Sequence, residues 1–187
     1  MMAPRLLGTA TIFYGALVLL AAAIGALSGR NPFAPGGPFA PSFALGVATA
    51  CGTVALGLLA YRTFGVFKKL SEELAPLVVD GARRRDLLIL AALSGVGEEA
   101  LFRGALQPEI GIVTTSLLFG ALHVGPDRRY LVWTLWAVGA GFLFGALYGW
   151  AGGILAPVVA HALHNAVTLL LWRRSRSVGG AAFGEAA

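Results

Sequence analysis

Charged residues are scarce in this chain: Asp, Glu, Lys and Arg together make up 12% of its 187 residues. A soluble domain carries about 25%, so water is not expected to be the main solvent of this fold. The chain has one cysteine, Cys51, which excludes an internal disulfide. Cys51 stands in an apolar run, which indicates a packing role. The length suits a single domain over residues 1–187.

Apolar residues, by contrast, make up 57% of the chain and come in long runs. A helix needs about 20 apolar residues to cross a hydrocarbon layer of about 30 Å. We therefore predict an all-α, polytopic membrane helix bundle with about six spans: Leu6–Leu27, Ser42–Tyr61, Leu87–Leu106, Ile110–Val124, Leu131–Trp150 and Ile154–Trp172. The first run is longer than the apolar core of a signal peptide, about 7–15 residues, so we expect a retained helix.

The segments between the spans have their own patterns. Arg62–Val79 has apolar residues at helical spacing with charged residues on the other side, which predicts an amphipathic helix on the cytoplasmic surface; the alternative is a solvated connector. Ser28–Pro41 is rich in Pro and Gly and should lack regular structure. We expect the motif-bearing core to cover residues 86–172 and residues 173–187 to form a disordered tail.

Basic residues flank the apolar runs. If the N-terminus is cytoplasmic, Arg30 is the only one of the 14 basic residues in an outer loop, and Arg103 the only one within a span. This asymmetry predicts that both termini are cytoplasmic. The net charge is +5, but the lysines and arginines do not form a stripe with interleaved aromatic residues. We therefore expect a lipid bilayer as partner and no nucleic acid, in an integral protein of a bacterial or archaeal cell membrane.

Two adjacent carboxylates, Glu98 and Glu99, stand inside the apolar run Leu87–Leu106. Ionisable groups in hydrocarbon cost several kcal/mol, so they mostly face a bundle interior or a wet cavity. Arg103 follows Glu99 at i+4 and can pair with it, which leaves Glu98 as a candidate general base. The alternative is a purely structural ion pair between helices, which would give Glu98 no purpose.

Histidines occupy two later spans. His123 shares a helix face with Phe119, and His161 shares one with Asn165, while His164 lies about 60° from His161. Each histidine alone could be a satisfied core residue; together with the glutamates they predict one reactive cavity.

Two chemistries remain open for this cavity. Glu98 and His123 could activate a water, with oxyanion donors from His161 and Asn165. Alternatively Glu98, His123 and His161 could ligate Zn²⁺ with a water in the open position. No HExxH motif fixes a metal. No serine or cysteine is in register with a histidine, and Ser94 is expected to serve packing, as is the stripe of Gly141, Gly145 and Gly149 on the fifth span.

Three ordered motifs carry a family resemblance: Glu98-Glu99-x-x-x-Arg103, Phe119-x-x-x-His123 and His161-x-x-x-Asn165. They resemble those of the CPBP intramembrane proteases, which include the CAAX prenyl endopeptidases of the Rce1 type and the bacterial Abi group. The resemblance implies that Glu98 and His123 activate water, that Glu99 and Arg103 shape the site, and that His161 and Asn165 hold the oxyanion. The family is usually labelled metalloprotease, but a metal-independent glutamate mechanism has also been argued, so no cofactor is certain and Zn²⁺ stays open.

The resulting prediction is an intramembrane endopeptidase that hydrolyses a protein or peptide substrate; whether the substrate is membrane-anchored stays open. The alternatives are a proton-coupled transporter and a non-catalytic membrane scaffold or immunity protein. Glu98 should lie about 18 Å along the helix that begins at Leu87, whereas His123 should be close to the cytoplasm. For the two to meet, the third span must begin near Arg83–Arg85 or the fourth must continue past Val124.

Overall fold

The computed structural model describes the backbone of residues 3–183 and the side chains of residues 6–176. Every regular element in the described backbone is helical, which confirms the all-α class. One segment, labelled π1, is a π-helix. In chain order the elements are α1 (Ala3–Ser28), α2 (Phe39–Thr63), α3 (Gly65–Val79), α4 (Arg84–Glu99), π1 (Ala100–Leu106), α5 (Gln107–Ala121), α6 (Tyr130–Ala151) and α7 (Leu155–Phe183).

Four of the described helices are long and apolar enough to cross a membrane. Their candidate spans are Leu6–Ser28, Phe39–Thr63, Tyr130–Ala151 and Leu155–Arg176. Large apolar side chains point outward from them, among them Ile12 at 77% and Leu135 at 69% exposure. Such a surface suits lipid contact better than water. The fold is therefore a helical membrane bundle.

The third and fourth predicted spans have a different form. α4 and π1 continue without interruption into the first turn of α5, so the helical chain runs from residue 84 to the break at Gly111. Gly111 has φ 79° and ψ 163°, a conformation that L side chains rarely adopt. The rest of α5 is a short helix that ends at Ala121.

α3 is the amphipathic helix predicted at Arg62–Val79, and it begins at Gly65. It buries Leu70, Ala75 and Val79 and leaves its lysines and glutamates exposed. The buried side packs against α7, α2, α6 and α1, so the segment is part of the bundle.

α7 is the central helix and packs against α2, α3, α4 and α6, while α1 packs against α4 and π1. Glycines permit the close approaches. A Cβ on Gly95 of α4 would lie 2.9 Å from the backbone nitrogen of Ala162 on α7. A Cβ on Gly141 of α6 would lie 2.9 Å from Cα of Ser116 on α5. Of the predicted packing stripe, Gly141 and Gly145 face α5, whereas Gly149 has nothing within 4 Å of the place where its Cβ would lie.

The C-terminal segment corrects a prediction. α7 continues to Phe183, whereas the sequence predicts disorder from residue 173; residues 184–187 lie outside the described ones. Two basic side chains tie this extension to the α3–α4 connection: Arg173 donates to the carbonyl of Ala82 at 3.3 Å, and Arg176 pairs with Asp80. The small and polar composition of the segment does not reveal these tertiary contacts.

Candidate active site

The junction of α4 and π1 carries the first motif. Glu99 is the last residue of α4, and π1 begins at Ala100. Glu99 and Arg103 are 0% and 1% exposed. Arg103 Nη1 donates to Glu99 Oε1 at 3.2 Å, and Arg103 Nε lies 3.2 Å from Glu99 Oε2. The predicted i, i+4 pair is therefore present and buried. Isolated π turns inside helices often occur at functional sites.

Arg103 is further held by α6 and by aromatic rings. Its Nη2 donates to the carbonyl of Gly141 at 3.0 Å. The guanidinium carbon lies 4.5 Å from the ring centre of Phe119 and 5.7 Å from that of Phe144, where cation–π attraction applies. Gly141, which the sequence assigns to packing alone, thus also helps to fix a charged site residue.

His161 joins the two glutamates. Its Nδ1 lies 2.8 Å from Glu99 Oε1, and its Nε2 lies 4.0 Å from Glu98 Oε2. Glu99 is paired with Arg103 as a carboxylate and can only accept, so His161 Nδ1 donates to it. The other ring nitrogen then faces Glu98. The side chain of Glu98 is 12% exposed, and its Oε2 has no hydrogen-bond partner among the described residues.

Asn165 lies one turn further along α7. Its Nδ2 donates to Ser94 Oγ at 2.9 Å, and Ser94 in turn donates to the carbonyl of Ala91 at 3.1 Å. This chain of bonds uses one of the two amide hydrogens of Asn165 and leaves the other free. Ser94, predicted to serve packing, also orients Asn165.

His123 lies just after the end of α5. Its Nδ1 is 2.8 Å from the carbonyl oxygen of Phe119. A carbonyl can only accept, so Nδ1 carries the hydrogen and Nε2 of the neutral ring is an acceptor. No carboxylate of the described residues lies within 4.0 Å of His123. The Phe119 ring contacts both histidines, with ring-centre distances of 4.9 Å to His123 and 6.1 Å to His161.

The two conditions for bringing Glu98 towards His123 have different outcomes. α4 begins at Arg84, as the first condition requires. α5 ends at Ala121, so the fourth span does not continue past Val124. The first condition alone is met, and the structure places no direct contact between Glu98 and His123.

The loop after His123 is fixed by polar contacts. Thr134 Oγ1 of α6 donates to the carbonyl of His123 at 3.1 Å. Further along the loop, Arg129 pairs with Asp127 at 2.7 Å and with Glu73 of α3 at 2.5 Å. The hydrogen bonds from Arg129 hold the pKa of Asp127 below its usual value. These contacts connect the position of His123 to α3 and α6.

A cavity of about 740 Å³ adjoins the site. Its wall includes Tyr14, Ser94, His123, Trp136, His164 and Asn165. Tyr14 comes from α1, and its hydroxyl interacts with both Glu98 and Ser94. The sequence gives no signal for this residue, since a tyrosine in a membrane helix commonly marks an interface. Glu98 and His161 are not among the lining residues of this cavity, so Tyr14 connects its wall to Glu98.

The proposed zinc ligands do not fit a metal. Within residues 6–176, no group of three or more His, Cys, Asp and Glu side chains is arranged to hold a metal ion. His161 already donates through Nδ1 to Glu99, and His123 has no carboxylate within 4.0 Å. Zn²⁺ needs nitrogen ligands at about 2.0–2.1 Å converging on one point. Glu98, His123 and His161 do not converge in this way, so we derive no step through a metal.

Comparison with known proteins assigns part of the chain to a family. Residues 84–167 match the family described as type II CAAX prenyl endopeptidase Rce1-like. These residues form an Rce1-like domain. The matched range contains all three motifs, so the family resemblance predicted from them is confirmed.

One curated relative is the uncharacterized protein YpbD of Bacillus subtilis (strain 168), which is 42% identical over 81 residues. The alignment covers 43% of this chain and 42% of YpbD, so the chain spans less than half of that relative. No solved structure matches the chain significantly. α1, α2 and α3 precede the Rce1-like domain, yet α1 adds Tyr14 to the cavity wall. The apolar helices and the family together make this an integral membrane protein.

Proposed function

We propose that the chain is an intramembrane endopeptidase that hydrolyses a peptide bond of a protein or peptide substrate by water activated at Glu98. The observation that carries the proposal is the arrangement around His161. One ring nitrogen is fixed by the buried Glu99–Arg103 pair, and the other faces the unpaired Oε2 of Glu98. A carboxylate oxygen without a hydrogen-bond partner among the described residues, beside an oriented imidazole, suits proton transfer.

The first step is attack by water. Glu98 Oε2 and His161 Nε2 are 4.0 Å apart, so one water at about 2.8 Å from each can bridge them. Glu98 takes a proton from this water as its oxygen bonds to the carbonyl carbon. His123, whose Nε2 is an acceptor on the cavity wall, orients the water. Glu98 then returns the proton to the leaving amine as the C–N bond breaks.

The developing oxyanion needs donors. Asn165 offers its free amide hydrogen. His161 already donates through Nδ1, so it can donate through Nε2 only as an imidazolium. In that state two carboxylates, Glu98 and Glu99, balance two cations, Arg103 and His161. Buried charges persist only when they are paired, and this balance supports the protonated form.

The cleavage assay uses purified protein in lipid vesicles with a peptide library and mass-spectrometric detection. We expect Glu98→Gln to lower the rate about 10²–10⁴-fold and Asn165→Ala about 10²–10³-fold, with His123→Ala also impaired. Glu109→Gln is the matched control, because Glu109 pairs with Arg30 at a half-exposed position. Equal cleavage by Glu98→Gln and wild type, at equal helical content, would remove the catalytic assignment.

A chelator series on the same assay tests the role of a metal. We expect unchanged cleavage after treatment with EDTA and 1,10-phenanthroline, because the donor set does not converge. Loss of activity that Zn²⁺ restores would contradict this mechanism and favour the zinc alternative.

We also propose cytoplasmic termini and a site that opens to the cytoplasm, on the basis of the asymmetric basic residues and of α3, which lines the cavity with Phe67 and Glu72. Two single-cysteine variants in a Cys51→Ser background test this. Lys69→Cys should react with a membrane-impermeant maleimide only from the cytoplasmic side, and Asn31→Cys only from the outside. The reverse pattern would overturn the orientation.

A further inference from the structure

His164 lies beside the site but has no part in the mechanism above. It is adjacent to Asn165 on α7, and both side chains line the cavity. Its Nδ1 is 3.0 Å from Thr53 Oγ1 on α2, and its ring centre is 6.3 Å from the ring centre of Trp136 on α6. Three helices therefore hold the ring in one orientation.

The hydrogen bonds of Thr53 determine which ring nitrogen of His164 carries the hydrogen. Thr53 Oγ1 lies 3.1 Å from the carbonyl oxygen of Ala50 and donates its single hydrogen to it, a common bond for threonine within a helix. The hydroxyl must then accept from His164, so Nδ1 is the donor. No carboxylate of the described residues lies within 4.0 Å of His164 to balance a positive charge. The ring is therefore neutral, and Nε2 presents a lone pair.

This lone pair has no partner among residues 6–176. No described residue bonds to His164 Nε2, and the atom is not among the fully buried unpaired ones. It is thus accessible from the cavity. A partly buried acceptor in a largely apolar cavity is satisfied best by a ligand that brings a donor.

An extended peptide brings such donors at regular spacing, one main-chain N–H for each rise of about 3.3 Å. Next to the acceptor of His164, Asn165 offers a free N–H. Adjacent residues of α7 thus present an acceptor and a donor to the same cavity, which complements the N–H and C=O of a peptide main chain.

We propose that His164 is a substrate-binding residue whose Nε2 accepts a hydrogen bond from a main-chain N–H of the peptide substrate. This rests on the endopeptidase function proposed above. Thr53 is the positioning residue, because it fixes the hydrogen on Nδ1 and leaves Nε2 as the acceptor.

The first test does not depend on activity. Nitrogen-15 NMR of histidine-labelled protein in nanodiscs, with His164→Gln to assign the signals, reports the tautomer of each ring. We expect His164 as the Nδ1–H tautomer in wild type, and a loss of this preference in Thr53→Val. Thr168→Val is the matched control, because Thr168 lines the cavity without bonding to His164, and it should leave the tautomer unchanged. An Nε2–H tautomer in wild type would overturn the proposal.

The second test uses a library peptide that wild type cleaves, and analogues in which single amides outside the scissile bond are replaced by esters. One ester should lower kcat/KM of wild type about three- to tenfold, mainly through KM. His164→Phe should lower kcat/KM for the parent peptide by the same factor and show no further loss with that ester. His164→Gln, with an acceptor oxygen near the position of Nε2, should restore part of the loss.

The outcomes separate the two proposals. If His164→Phe keeps the full ester sensitivity of wild type, the binding role is wrong while the endopeptidase function stands. If wild type cleaves no peptide and Glu98→Gln behaves identically, the endopeptidase function fails and the binding role fails with it, whichever tautomer NMR finds.

Discussion

Replacement of Arg103 by methionine is the sharpest test of the buried centre. Arg103 is 1% exposed, donates to Glu99 Oε1 at 3.2 Å and donates to the carbonyl of Gly141 at 3.0 Å. Arg103→Met keeps an unbranched chain of similar length but leaves the carboxylate of Glu99 without its cation. Breaking a buried ion pair from one side costs about 3–5 kcal/mol. We expect a loss of this size in the free energy of unfolding.

The double variant Glu99→Met/Arg103→Met should be less damaged than Arg103→Met alone. It removes both buried charges, which is often nearly neutral. Both variants leave the Gly141 carbonyl without its donor. The double variant therefore replaces the cost of the uncompensated charge, about 3–5 kcal/mol, by that of an unpaired His161 Nδ1, about 1–3 kcal/mol. The second substitution therefore restores stability although it removes another native side chain. A second substitution that raises the free energy of unfolding shows that the first one left an uncompensated charge.

The assay is equilibrium unfolding in mixed detergent micelles, followed by circular dichroism with a reversibility check. Arg30→Met is the control, since its pair with Glu109 is 58% and 39% exposed and should contribute about 0–1 kcal/mol. A loss below about 1 kcal/mol for Arg103→Met would refute the reasoning. So would a double variant whose loss equals the sum of the single losses.

Three further predictions follow from individual contacts. Tyr14→Phe should lower cleavage roughly ten- to hundredfold without unfolding, since the lost hydroxyl interacts with Glu98, the carboxylate proposed to activate water. Gly104→Ala should cost about 1–3 kcal/mol in detergent unfolding, because its Cβ would overlap a carbonyl of the α1–α2 loop, whereas Gly139→Ala, with open space around it, should not. The hydrogen bond from Arg83 lowers the pKa of Asp86, so its stabilisation is complete above about pH 4 and is lost as the pH falls through that lower pKa. The melting temperature of wild type should therefore drop more below about pH 4 than that of Asp86→Asn, which keeps the acid-sensitive pairs of Asp80 and Asp127.

The pair of Glu99 and Arg103 was predictable because helical spacing determines it. Glu99 and Arg103 at i, i+4 pair as expected, and His161 reaches the glutamates from α7. Each of these side chains is polar in an apolar run, and that contrast is visible in the sequence. The sequence also marks α3, whose charges and apolar residues separate onto opposite sides.

Other features carry no sequence signal. π1 widens the turn directly after Glu99, and a helical wheel at a constant angle per residue cannot represent it. Tyr14 and Thr53 reach the cavity region from helices outside the three motifs, so only tertiary packing shows their relevance. The position of His123 just after the end of α5 is a further such feature, because helix ends are the least predictable part of an element.

The three histidines follow one scheme. Each is fixed through Nδ1 by an acceptor: the Phe119 carbonyl for His123, the Glu99 carboxylate for His161 and the Thr53 hydroxyl for His164. Every Nε2 is therefore left for chemistry or binding. The acceptor at Nδ1 distinguishes the three histidines. A carboxylate stabilises an imidazolium, whereas a carbonyl or hydroxyl does so to a smaller degree. His161 is thus suited to donate to an oxyanion, while His123 and His164 are suited to accept hydrogen bonds from water and from substrate.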